Sequence, residues 1–145
     1  VCALVGALAL ATNATATTPE ERAVLAPLQA IFDGLAIRDK NLVIQQLLPG
    51  GSATLMRDGK PLQLTFAEFA DRITQSGPTP REERMHDALI RIDDNIAIIW
   101  TPYVVTVAGK LDHCGTDIAN LVRLEGKWLI AGLADTSRKE CRAKR

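Results

Sequence analysis

The sequence predicts an α+β domain in which N-terminal helices cover one face of a curved antiparallel sheet. Apolar residues recur at helical spacing near the N-terminus, while the last sixty or so residues read as four strands divided by tight-turn dipeptides. A chain of 145 residues, 47% of them hydrophobic, also suits one domain with its own core. Helices first and a strand meander last imply one helical layer on one sheet. Lys plus Arg and Asp plus Glu each number 17, so no global field favours nucleic acid, and none is expected as a partner.

The first sixteen residues carry no charge. Val1 to Leu10 has the length of a signal-peptide apolar core, and Ala14-Thr15-Ala16 supplies small residues for cleavage. The expectation is removal of residues 1–16, a domain over 17–137 and a basic tail over 138–145. Such a chain would be periplasmic or secreted from a bacterium, with no stable membrane anchor in its mature form. Arg138, Lys139, Arg142, Lys144 and Arg145 read as a solvated terminus in preference to a phosphate or lipid contact.

Thr18-Pro19-Glu20-Glu21 opens the first helix with a cap, a first-turn proline and acids suited to the helix dipole. Val24, Leu28, Ile31 and Leu35 form its apolar stripe, and Pro27 either kinks it or marks its true start. Asp39 caps a second helix carrying Leu42, Val43 and Leu47, which Pro49-Gly50-Gly51 stops. A hairpin over 52–64 turns at Asp58-Gly59, and Thr65-Phe66-Ala67-Glu68 opens a third helix as a capping box. Strands follow near 83–92, 96–107, 110–124 and 127–136, with turns at Asp94-Asn95, Gly109-Lys110 and Glu125-Gly126.

The early helices, Trp100-Thr101-Pro102-Tyr103, His113-Cys114-Gly115 and Gly126-Lys127-Trp128-Leu129-Ile130 resemble the nuclear transport factor 2-like superfamily over residues 20–137. The nearest subset is its exported, SnoaL-like or lumazine-binding members. The resemblance implies a cystatin-like cone, a strongly bent sheet wrapped around the helices with a cavity at one end. It also implies a homodimer through the outer sheet face. Members include isomerases, dehydratases and cyclases as well as proteins without catalysis, so the fold alone does not choose.

Two-residue turns put Leu121 opposite Ile130, Pro102 opposite Asp117, Leu89 opposite Trp100 and Asp87 opposite Pro102. These registers assign Met85, Asp87, Leu89, Ile98, Trp100, Val104, Thr106, His113, Asp117, Leu121, Trp128 and Ile130 to the helix-facing side. His86, Ile90, Ile99, Tyr103, Cys114 and Val122 fall on the other, and one slipped residue exchanges the sets. Trp100, Tyr103, His113, Asp117 and Asp87 are the candidate ligand contacts, and Asp87, His113 and Asp117 the candidate catalytic groups. His113 and Asp117 lie about 13 Å apart along one strand, too far for a direct dyad. Each residue also has a structural reading. His113 would be a hydrogen-bonded strand end, Asp117 a cap on amides, Asp87 a partner for Arg72, the tryptophans core, and Tyr103 a hydrogen bond at a bend.

With Cys2 in the leader, Cys114 and Cys141 are the expected disulfide, the tail bending back because Ser137 stands opposite Cys114. The alternative is two free thiols. No metal ligand spacing and no cofactor motif is present. The leading functional expectation is a non-catalytic domain with a small apolar ligand in the cone. The alternatives are an acid–base enzyme, with Asp87 or Asp117 as base and His113, Tyr103 or water as proton donor, and a structural dimerisation module.

Overall fold

The computed structural model describes residues 17–75 and 77–141. The expected leader, residues 1–16, and the end of the basic tail lie outside them. Among the described residues, three helices, α1 (Pro19–Ile37), α2 (Lys40–Ile44) and α3 (Phe66–Thr74), accompany seven strands. These are β1 (Leu47–Arg57), β2 (Lys60–Thr65), β3 (Arg81–Met85), β4 (Leu89–Asp93), β5 (Ile96–Val107), β6 (Lys110–Leu124) and β7 (Lys127–Arg138).

Local chemistry places the helices. The Thr18 hydroxyl accepts from the Glu21 amide, and the Glu21 carboxylate accepts from the Thr18 amide, which completes the capping box of α1. Thr65 and Glu68 do the same for α3. Helix α1 runs through Pro27 without ending and buries it beside Val24, Leu28 and Ile31. Asp39 caps the short helix α2, but that helix ends at Ile44, and Leu47 instead starts β1 and pairs with Ile130 of β7.

The sheet order is β2-β1-β7-β6-β5-β3, with β4 also on β5. It is curved and open, with the helices on its concave side, and the expected α+β class holds. The expectation of a purely antiparallel sheet does not, because β1 and β7 run parallel. The strands expected at 96–107 and 110–124 have those bounds.

Three bulges decide which side chains face the helices. The β5–β6 turn is Ala108-Gly109, both in the left-handed region at φ 49° and 74°, one residue earlier than expected. Thr106 then pairs with Leu111 but Val105 with His113, so Asp112 is the extra residue of a bulge. In β7, Leu121↔Ile130 stands as expected, but Ala131 is extra and Asn120 pairs with Gly132. The predicted strand 83–92 breaks into β3 and β4 at His86–Ala88, where Asp87 takes φ 49°. Asp117 therefore faces Thr101 and Asp135, not Pro102.

The slip exchanges the faces of β4 and β5. Ile90, Ile99 and Tyr103 point into the core, whereas Leu89, Ile98 and Trp100 lie on the convex side. Trp100 is 43% exposed, against 5% for Trp128, whose ring packs under the Arg123 guanidinium at 4.9 Å. The faces predicted for β6 and β7 are retained: His113, Asp117, Leu121, Trp128 and Ile130 all face the helices, because the Glu125-Gly126 turn is where it was expected.

Candidate functional site

Between the helices and the sheet lies a cavity of about 250 Å³. Leu28, Ile31 and Phe32 of α1 and Phe69 of α3 form its apolar wall, and the sheet supplies its polar one. On β6 and β7, Asp117 and Asp135 stand directly opposite each other, which puts their Cβ atoms roughly 5 Å apart. Arg57 of β1 grips Asp135 through both nitrogens, Nη1–Oδ1 at 2.6 Å and Nη2–Oδ2 at 2.7 Å. That bidentate bond raises the guanidinium pKa further, against the cost of burial.

Asp117 is different. It is 4% exposed, and its carboxyl has no hydrogen-bond partner among the described residues. The adjacent Thr101 hydroxyl turns to the backbone, donating to the His86 carbonyl at 3.1 Å. Burial first, and the Asp135 charge second, push Asp117 up to about 8, with Arg57 opposing. At neutral pH it is chiefly a neutral acid. Burial likewise raises Glu83 well above its usual range, followed by the charges of Asp117 and Asp135. Part of that residue reaches solvent, but its carboxyl sits deep among protein atoms.

Tyr103 crosses Gly115, and its hydroxyl donates to the Thr136 carbonyl at 2.7 Å. Burial raises the phenol pKa, so this hydroxyl is a structural donor. The Tyr103 ring meets His113 edge-on, centroids 6.0 Å apart. The bulge sets Asp112 beside His113, and the imidazole Nδ1 lies 2.7 Å from its carboxylate. Lys139 Nζ donates to the other oxygen at 3.1 Å, and these two hydrogen bonds, His113 first, lower the Asp112 pKa. The tail bends back as expected: Cys114 and Cys141 form a disulfide with Cα atoms 5.7 Å apart, and Arg138 rather than Ser137 stands opposite Cys114. The bridge brings Lys139 over Asp112 and so indirectly orients His113.

Of the sequence candidates, the cavity gathers Tyr103, His113 and Asp117. Asp87 sits on the bend between β3 and β4, 3.2 Å from His86 and outside this cavity, where the bulge has turned it away. Trp100 is likewise excluded, since the slipped β5 register carries it to the convex face. Arg57, Glu83, Asp112 and Asp135 were missed. Only Asp135, an acid inside the apolar run of β7, left a trace in the sequence; Arg57 joins it through a parallel pairing that local pattern does not reveal.

The bent open sheet with helices inside is the nuclear transport factor 2-like, or cystatin-like, architecture. Residues 19–132 match the family described as "putative lumazine-binding", and the chain belongs to that family. An NTF2-like protein of unknown function from Shewanella baltica is similar over 83% of this chain and 95% of its own, with a TM-score of 0.67 and 20% identity. A "putative calcium/calmodulin dependent protein kinase II association domain" from Xanthomonas campestris covers 97% of this chain and 100% of its own, at TM-score 0.70 and 18% identity. At such identities the likeness is one of fold. No curated protein matches the chain.

Proposed function

We propose that this chain is a small-molecule-binding domain acting in the bacterial periplasm or outside the cell, with its ligand held in the cone. The observation that carries the reading is Asp117: a buried, unpartnered carboxyl deep in a partly enclosed cavity is an unmet hydrogen-bonding group that a ligand satisfies. The family description supports a flat heterocycle with carbonyl edges, to which a neutral carboxylic acid donates. The uncharged N-terminal run and the disulfide support export. Titration with lumazine, followed by amide NMR, tests the site. Saturable shifts around Asp117 and Tyr103, weakened roughly tenfold or more in Asp117→Ala, are expected. Shifts elsewhere, or an unaltered affinity in the variant, would remove Asp117 from the site.

A second reading, acid–base catalysis, is favoured by one observation. A protonated Asp117 and a carboxylate-oriented His113 line the same cavity and so reach different ends of one bound molecule. The outer face bears on assembly. Leu89, Ile98, Trp100 and Ile118 are all 43–50% exposed there, and they suit a second copy of the chain. Trp100→Glu should convert a dimer to monomer in sedimentation while leaving the circular dichroism spectrum unchanged. A monomeric wild type would end the dimer reading.

A further inference from the structure

The cone's lining is mixed in sign but not balanced in use. Three arginines and three acids face the cavity: Arg57, Arg72 and Arg81 against Glu83, Asp117 and Asp135. Arg57 and Asp135 are consumed by each other. Burial favours the neutral forms of Asp117 and Glu83, with the charges of Arg81 and Arg57 opposing it at Glu83 without an ion pair. Neither Arg72 on α3 nor Arg81 at the start of β3 has an ion-pair or hydrogen-bond partner among the described residues. Arg72 is exposed and Arg81 half-buried, whereas Asp117 and Leu28 are buried. The two unpaired cations thus stand at the mouth and the lone carboxyl at depth, with apolar wall between.

On the reading that the cone binds a small molecule, we infer that its ligand is a small organic anion. Its negative group lies against Arg72 and Arg81 at the mouth, and a hydrogen-bonding group at its far end meets Asp117. The guanidinium fork matches a carboxylate or phosphate in two parallel hydrogen bonds, and partial enclosure protects the pair from full solvent screening. The middle of the ligand is apolar, because Ile31, Phe32 and Phe69 offer it nothing to hydrogen-bond. The cavity of about 250 Å³ limits it to a single ring system or a short chain.

A matched pair of probes tests this, 4-hydroxybenzoate and its neutral counterpart 4-hydroxybenzamide, titrated into the full chain by amide NMR. The carboxylate is expected to bind about tenfold more tightly, one charge-assisted contact's worth. In Arg72→Gln/Arg81→Gln, that preference should vanish while the amide's affinity is unchanged. Equal affinities in the wild type, or a preference that survives both substitutions, would overturn the anion inference and leave the cavity reading standing. Binding of neither probe, or shifts away from the cone, would overturn both.

Discussion

Asp117→Asn should stabilise the protein at neutral pH while weakening the ligand binding proposed for the cone. The carboxyl's folded pKa is raised by burial and by Asp135, so ionisation is easier in the unfolded chain. Between the ordinary aspartate value near 4 and the folded value of about 8, the unfolded chain binds fewer protons than the native one. Native stability therefore falls as pH rises through that window. An amide has no such titration, so its advantage over the wild type grows across the window, to roughly 3–5 kcal/mol near pH 8, and vanishes below about pH 4. Urea unfolding of both proteins at pH 4 and pH 8 measures it. An advantage that does not change with pH, or a variant less stable at pH 8, would mean that Asp117 is ionised and satisfied in the native state. A site that weakens its own scaffold is a common mark of binding or catalysis.

Gly115→Ala should be the most damaging small substitution in the sheet. A Cβ at this position would lie 2.6 Å from both Cε1 and Oη of Tyr103, and closer still to the Thr136 carbonyl oxygen. Neither neighbour yields easily. The tyrosine is 2% exposed and tied to Thr136, and the carbonyl belongs to β7, paired with β6 on both sides of the contact. A loss of about 3 kcal/mol or more is expected, at the upper end for overpacking. Tyr103→Phe, which removes only the hydroxyl, should cost about 1 kcal/mol. Unfolding midpoints that place the two variants together would show that β6 and β7 separate more readily than their pairing implies.

What was legible in the sequence divides cleanly at the bulges. Caps at Thr18, Asp39 and Thr65 and the turns at Asp58-Gly59, Asp94-Asn95 and Glu125-Gly126 depend on neighbouring residues alone, and they are where the sequence puts them. His113 and Asp117 fell on the correct face because the last hairpin carried them there. Moving the turn to Ala108-Gly109 shifts the pairing by two and keeps the faces, so Trp100 was misplaced by the one extra residue, Asp112, which shifts it by one. Alanine is uncommon in that conformation, and a bulge is selected by tertiary curvature, which leaves little mark on a single strand. The same bulge that spoiled the register of Trp100 supplies the carboxylate that orients His113.

The parallel seam between β1 and β7 has a kinetic consequence. Leu47 and Ile130 meet across more than eighty residues, and nothing local prepares them to do so. The meander β5-β6-β7 closes through short turns and can form early, whereas the β1-β2 hairpin with its attached α3 cannot join the sheet until the last strand exists. During synthesis β1 can pair with β2, but its other edge remains unmatched until β7 has been made. The Arg57–Asp135 grip spans that late seam. The interior polar site and the final folding step are thus completed together, and a chain cut short before β7 lacks both.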